Sequence, residues 1–80
     1  MADTTTVTMT GSWVAVAGPG WATITPHRAG VEWAESATTP GDIPGHFAAA
    51  YRDRAFEVET KLHLKGSAGV VVTVTRETAP

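Results

Sequence analysis

The chain of 80 residues contains no cysteine, which excludes disulfide bonds as a source of stability. Charge is sparse and nearly balanced, with six lysines and arginines against eight aspartates and glutamates. There is no basic patch of the kind that nucleic-acid-binding proteins carry, and no apolar run approaches the roughly 18 residues of a membrane span. The N-terminus lacks the basic and apolar regions of a signal peptide. We therefore expect a protein that is made in the cytoplasm, with neither nucleic acid nor membrane as a partner.

A chain of this length allows one domain. At this size folding buries only about 60% of the surface of the unfolded chain, so small domains usually need a disulfide, a metal or association with another chain. His27, His46 and His63 are scattered, and none has a second histidine or a cysteine at zinc-ligand spacing. Association, with itself or with a partner, is the expected extra source of stability.

The N-terminal segment is rich in threonine, with five threonines in residues 1–10. Its apolar residues form no face long enough to dock securely, and such termini are poorly ordered unless tied down. Threonine and valine nevertheless favour extended chain. We predict a flexible threonine-rich arm over residues 1–11 that becomes a strand on a neighbour, followed by a single β domain over residues 12–80.

Glycine and proline recur after the arm, and helical periodicity is absent. Short β-prone segments between these turn signals predict strands. The predicted strands are 12–17, 21–25, 30–35, 55–60, 61–65 and 70–75. Gly18-Pro19-Gly20 separates the first two strands and predicts a hairpin.

Two stretches leave alternatives open. Apolar residues keep one alternating phase from Phe56 to Leu64, which also allows a single long strand in place of two. Residues 36–46 predict a loop, and residues 47–54 predict a strand or irregular structure, with a short helical turn as the alternative. The pattern as a whole predicts an all-β fold: a compact antiparallel β-sandwich or small barrel of six to seven strands with a flexible N-terminal arm.

Support for catalytic chemistry is weak. A nucleophilic trio could be assembled only from Ser36, His46 and Asp42, in or beside the proline-rich loop, where polar residues ordinarily form solvated turns. Glu57 and Glu59 face the same way on one predicted strand, so they lack the contrast in environment that separates a catalytic acid from a base. We predict no enzyme activity, no cofactor, no metal and no small-molecule substrate.

The three tryptophans carry most of the aromatic surface. Trp33 shares a predicted face with Val31 and is expected in the core. Trp13 and Trp21 lie opposite the aliphatic face of their strands, where they serve as core filler, as a protein contact or as a platform for a sugar. The residues predicted to form a protein interface are Thr4, Thr6, Thr8, Trp13 and Trp21.

Several motifs follow one another along residues 12–75. They are Ser12-Trp13-Val14-Ala15-Val16, Gly20-Trp21-Ala22-Thr23-Ile24, Val31-Glu32-Trp33-Ala34, the loop from Ser36 to His46, and the segment from Leu62 to Thr75. In this order they resemble a group of short proteins encoded among the structural genes of tailed bacteriophages and prophages. Those proteins show a similar Ser-Ala-x-x-Pro…Pro-Gly-His loop and a final strand of the form Gly-x-x-x-Val-Val-Val-Thr. Where they carry a Trp-x-Arg-like penultimate strand, this chain has Leu62-His63-Leu64.

The resemblance implies a virion component: a capsid decoration or cement protein, or the base of a head fibre or spike. It implies assembly in the host cytoplasm, no enzyme activity and no cofactor. Its expected partners are further copies of itself, as a trimer or pentamer, and the major capsid protein or other virion proteins. A carbohydrate- or receptor-binding β module is the alternative, and a small accessory or toxin-like protein is a third reading.

Overall fold

The computed structural model describes residues 2–41 and 45–77, which form eight β-strands and no helix. The strands are β1 (Ala2–Thr8), β2 (Val14–Ala17), β3 (Gly20–Pro26), β4 (Val31–Glu35), β5 (His46–Ala48), β6 (Arg54–Val58), β7 (Leu62–Lys65) and β8 (Val71–Glu77). The predicted all-β class is confirmed, with eight strands where six to seven were expected. In the part of the chain described here, no helix has the length and hydrophobicity needed to cross a membrane.

The strands form two four-stranded antiparallel sheets. Sheet A has the order β1-β8-β3-β6, and sheet B has the order β2-β7-β4-β5. Among the described strands, only β4 and β5 are both consecutive in sequence and paired in one sheet; every other connection passes from one sheet to the other. Apart from β4 and β5, neighbouring strands within a sheet are therefore not consecutive in the sequence.

One hydrophobic core receives side chains from both sheets. Alternate residues of each strand point to this core, as the pleat requires. From sheet A they include Ile24, Val72 and Val74, and from sheet B they include Val31, Leu62 and Leu64; all six are at most 1% exposed. The other face of each sheet points away from the core.

The N-terminal segment departs from the predicted arm. Residues Ala2–Thr8 pair in register with β8 of the same chain, from Ala2 opposite Glu77 to Thr8 opposite Val71. Val7 packs against the core, and Met9 is only 1% exposed. The prediction overlooked these two apolar residues, which tie the segment to its own domain.

The predicted hairpin between the first two strands of the β domain is wrong. β2 pairs with β7 in sheet B, whereas β3 pairs with β8 and β6 in sheet A. Gly18-Pro19-Gly20 is a turn, but it carries the chain from one sheet to the other. A turn signal shows that the chain reverses and does not show that the flanking strands pair.

The single long strand considered for residues 56–64 is also wrong. The chain leaves sheet A after Val58 and enters sheet B at Leu62. In the stretch 47–54, for which two alternatives were open, residues 46–48 form β5 and a turn follows at Ala50 and Tyr51. The strand or irregular structure predicted there is confirmed, and no helical turn forms.

Candidate functional site

The outward face of sheet A is an array of threonines. Residues directly opposite each other in neighbouring strands point to the same side of a sheet. Thr4, Thr75 and Thr23 are such register partners on β1, β8 and β3, and Thr6, Thr73 and Thr25 form the next row. We define the threonine face as these six residues together with Thr8 and Trp21.

The two rows form a regular grid. Neighbouring strands lie about 4.8 Å apart, and alternate residues on one strand lie about 6.6 Å apart. Thr4 and Thr75 are joined by a hydrogen bond of 3.0 Å between their hydroxyls. The three threonines of β1 at positions 4, 6 and 8 are exposed, and those of β3 and β8 are half-buried. The face thus offers hydroxyl and methyl groups and no charge within the two rows.

Trp21 closes one end of the threonine face. Its side chain is 55% exposed, and its register partners are Glu57 on β6 and Glu77 on β8. Both glutamates are exposed. An indole that projects beside two carboxylates combines a large apolar surface with a polar border, which is common where proteins contact ligands or other proteins.

The opposite end of the face carries a polar cluster. His27 Nε2 lies 2.8 Å from Thr73 Oγ1, and the hydroxyl of Thr25 donates to Asp53. Tyr51 is 73% exposed, has a left-handed backbone with φ of 58°, and places its ring 6.5 Å from that of His27. Its amide donates to Pro26 O at 2.7 Å. This backbone conformation is uncommon for a bulky residue, and the bond to β3 holds it in place.

Arg76 braces sheet A from the inner side. Its Nε donates to Val16 O in sheet B at 2.6 Å, and Nη2 donates to Thr5 Oγ1 at 3.2 Å. Nη1 lies 3.1 Å from Asp3 Oδ2 in an ion pair. One side chain thereby connects β1 and β8 to the other sheet, which fixes the threonine face relative to the core.

The outward face of sheet B has a different surface. His63 and Ala34 are register partners that point away from the core, yet they are 3% and 9% exposed. A residue on the outer side of a sheet is buried only if another segment lies over it. Trp13 and Pro40 together line a cleft of about 370 Å³, and Pro40 is buried. Residues 39–41 therefore lie on the outer side of sheet B.

Trp13 lies on the outer side of sheet B, near Gly45, Glu32 and Lys65. The amine of Lys65 lies 5.8 Å from the centre of its ring. A Cβ atom added at Gly45 would lie 2.7 Å from Trp13 Cη2 and 3.0 Å from Glu32 Cβ. Gly45 is therefore required for the close approach of the chain to the indole. A second cleft of about 230 Å³ lies beside it, between Glu32 and Lys65.

Three buried nitrogens have no hydrogen-bond partner within residues 2–41 and 45–77: Trp13 Nε1, Trp33 Nε1 and His63 Nδ1. Trp33 is half-buried and packs against the core, as expected, in edge contact with Phe56 at 4.7 Å and stacked on His46 at 4.5 Å. These side chains are held mainly by packing. None of the three nitrogens is part of the threonine face.

The residues considered for catalysis or metal binding are dispersed. Ser36 Oγ accepts from the amide of Thr38 at 3.4 Å, His46 lies on β5, and Asp42 lies outside the described residues. Glu57 is beside Trp21, whereas Glu59 follows β6 and is exposed. In the ranges that the structure describes, no three histidine, aspartate or glutamate side chains are grouped as metal ligands.

The five residues predicted as an interface fall on two surfaces. Thr4, Thr6, Thr8 and Trp21 share the threonine face, whereas Trp13 lies on the outer side of sheet B, where it lines a cleft with residues 39–41. The threonines of β3 and β8 on the threonine face were not among the residues predicted from the sequence. The signal for them is the Thr-x-Thr spacing in Thr23-Ile24-Thr25 and Thr73-Val74-Thr75, which alternates in phase with buried aliphatic residues.

Comparison of the chain with models of protein families, with curated proteins and with solved structures finds no match.

Proposed function

We propose that this chain is a non-enzymatic virion structural protein of a bacteriophage or prophage, whose threonine face docks on a neighbouring protein of the particle. Its place is that of a capsid decoration or cement protein, or of the base of a head fibre or spike. The observation that carries the docking proposal is the threonine face itself. The resemblance of the motifs within residues 12–75 to phage structural proteins is the reason for proposing a phage particle.

The composition of the threonine face suits burial against another protein. The cores of protein interfaces are depleted of charged residues, and the two threonine rows contain none. Threonine is branched at Cβ and stiff at χ1, so little side-chain freedom is lost when a partner covers it. Trp21 supplies the large aromatic side chain that often dominates the binding energy of an interface.

The fold suits a small part of a larger assembly. We propose that the two sheets stack as a β-sandwich on their shared core, which leaves each outer face available as a flat surface. The molecule measures 34 × 25 × 17 Å. A stable interface buries about 800 Å² on each partner, so such contact would use most of one broad side of the molecule.

The test is the protein content of phage particles. Particles purified from the induced strain that encodes the chain are expected to contain it in fixed ratio to their major protein, as measured by mass spectrometry. Intact particles that lack the chain would overturn the virion proposal.

A matched pair of variants tests the face. Trp21→Ala on the threonine face should reduce incorporation into particles at least tenfold, since truncation of a tryptophan that anchors an interface costs about 2 kcal/mol or more of binding. Phe47→Ala removes an aromatic that is 72% exposed at the edge of sheet B, and it should leave incorporation unchanged. Equal loss in both variants would argue against the threonine face as the docking surface.

Carbohydrate binding is a second candidate, favoured by the exposed indole of Trp21 beside Glu57 and Glu77. Sugars stack on such rings and bond to carboxylates. Quenching of tryptophan fluorescence by a panel of bacterial surface polysaccharides tests it. Binding that Trp21→Ala abolishes and Phe47→Ala retains would support this function, and no response to any polysaccharide would exclude it for that panel.

A further inference from the structure

The open edge of sheet A is strand β1. Among the described strands, β1 pairs only with β8, so its other side carries unpaired backbone groups. An exposed strand edge is a template for pairing with another chain, and proteins usually protect it with charge, proline, a bulge or short length.

The unpaired backbone groups of β1 belong to its even-numbered residues, Ala2, Thr4, Thr6 and Thr8. In an antiparallel pair, alternate residues direct both N–H and C=O to the same neighbour. The amide of Met9 donates to Val70 O at 2.7 Å, so the odd residues of β1 face β8 and the even residues face the open side. The amide of His27 donates to Val71 O at 3.0 Å, which confirms the alternation, because it directs Val71 to β3 and Val72 to β1.

β1 is also the least protected edge in the two sheets. It is seven residues long, and its one charged residue, Asp3, is paired with Arg76. The other edge of sheet A, β6, carries Arg54 and Glu57. In sheet B, β5 has three residues, and β2 has four with a register shift between Ala15 and Ala17.

We propose that β1 pairs with β1 of a second copy of this chain, antiparallel about a twofold axis at Thr5. This joins two copies of sheet A into one eight-stranded sheet. The proposal goes beyond docking of the threonine face, since it concerns the edge of sheet A and the chain's own copy. The threonine face then continues across both copies.

The charge of β1 is compatible with a second copy as the occupant, and it selects the register. With Thr5 on the axis, all seven residues of each strand are paired, Thr4 lies opposite Thr6 of the other copy, and Asp3 lies opposite Val7. The two Asp3 residues are then offset by four residues along the strands, about 13 Å, which exceeds the screening length of about 8 Å at physiological salt. Registers shifted toward the N-terminus bring these carboxylates together.

The expected dimer is weak, because strand pairing alone buries less than the area of a standard interface. Light scattering or sedimentation equilibrium on the full chain, up to about 1 mM, should show a monomer–dimer equilibrium with a dissociation constant in the micromolar range. A monomer at every concentration would overturn the proposal. So would a trimer or pentamer that the variants below leave intact.

Thr6→Pro is the decisive variant. Proline removes the amide at position 6, which faces the seam, and it is tolerated on an edge strand where that amide meets solvent. We expect at least a tenfold weaker dimer with an unchanged circular dichroism spectrum. Thr6→Val is the control, since it keeps the amide and loses only the hydroxyl of the threonine face, and it should dimerise normally. A Thr6→Pro dimer of unchanged affinity would overturn the proposal.

A charge pair tests the register and does not depend on proline. Thr6→Lys alone places two lysines near the seam and should weaken the dimer. Adding Thr4→Glu in the same chain places each glutamate opposite a lysine of the other copy and should restore at least the original affinity. Failure of the second change to rescue the first would rule out the register with Thr5 on the axis. Docking on particles is measured separately with Trp21→Ala, which leaves β1 unchanged.

Discussion

The outer faces of the two sheets differ in their exposure to solvent. On sheet A the threonine face is open, and its residues contact solvent along three strands. On sheet B the outward-facing His63 and Ala34 are as buried as core residues, because Trp13 and the segment around Pro40 lie on that side. His63 and Ala34 on the outer face of sheet B are thus constrained by packing, whereas the residues of the threonine face are free of that constraint. The regular array of threonines on this open face is the feature on which the docking proposal rests.

The largest expected difference comes from placing a charge on each face. Ala34→Lys forces an ammonium group and extra volume into a buried site on sheet B, and it should lower the free energy of unfolding by about 3 kcal/mol or more. Thr8→Lys, at an exposed site on the threonine face, should change it by no more than about 0.5 kcal/mol. Denaturant unfolding at low protein concentration measures both. Similar losses would show that the two faces are equally covered.

Gly45 tests the close approach over sheet B. The methyl group of Gly45→Ala would meet Trp13 Cη2 at 2.7 Å and Trp33 O at 3.1 Å, so overpacking should cost about 1–3 kcal/mol. Gly41→Ala is the matched control, since a Cβ atom there meets nothing within 4 Å. Thermal unfolding should separate the two variants. Equal melting temperatures would mean that the chain around Gly45 moves away without cost.

Arg76 tests how firmly β1 is held to the rest of the threonine face. Arg76→Met removes the 2.6 Å bond to Val16 O as well as the contacts to Asp3 and Thr5, and it should cost about 1–2 kcal/mol. Hydrogen exchange should show the largest loss of protection in the odd-numbered amides of β1. Asp3→Asn, whose side chain is 70% exposed in the wild type, should cost less than about 0.5 kcal/mol. Uniform loss of protection across both sheets would argue against a local brace.

The smallest effect is expected at two histidines, with opposite signs. His63→Met replaces a buried imidazole whose Nδ1 has no partner within the described ranges, and it should raise the free energy of unfolding by about 1 kcal/mol. His27→Met, in the polar cluster at the end of the threonine face, loses the 2.8 Å bond to Thr73. This change should lower the free energy of unfolding by a few tenths to about 1 kcal/mol. A destabilised His63→Met variant would show that the imidazole makes an interaction that the described residues do not include.

The positions of six of the eight strands could be predicted from the sequence, but strand partners could not. Alternation identifies the core-facing residues of residues 55–65, yet it keeps one phase while the chain passes from sheet A to sheet B. The reason is geometric, because both sheets direct their inner residues to one core. Val58 enters this core from sheet A and Leu62 enters it from sheet B. The same ambiguity produced the false hairpin at Gly18-Pro19-Gly20.

The sequence also could not show which of the predicted interface residues lie on the same surface. Thr4, Thr6 and Thr8 were selected because they lie in a threonine-rich terminus, and Trp21 because its strand has a more aliphatic opposite face. Their location on one surface depends on β8 lying between β1 and β3, which no local pattern contains. Trp13 has the same kind of sequence environment as Trp21, but it is half-buried beside Gly45 on the outer side of sheet B, whereas Trp21 is exposed. Only the tertiary structure distinguishes the two.

The strand order of sheet A has a consequence for how the chain is made. β8, the last of the eight strands to be synthesised, lies between β1 and β3, so until residues 71–77 leave the ribosome the first strand has no neighbour on either side. Folds built from such distant pairings form slowly, in milliseconds to seconds. During that delay, nascent chains on the same messenger RNA expose the same unpaired threonine-rich strand to one another. Which strand the first strand pairs with at that stage depends on timing and local concentration as well as on the stability of the final fold.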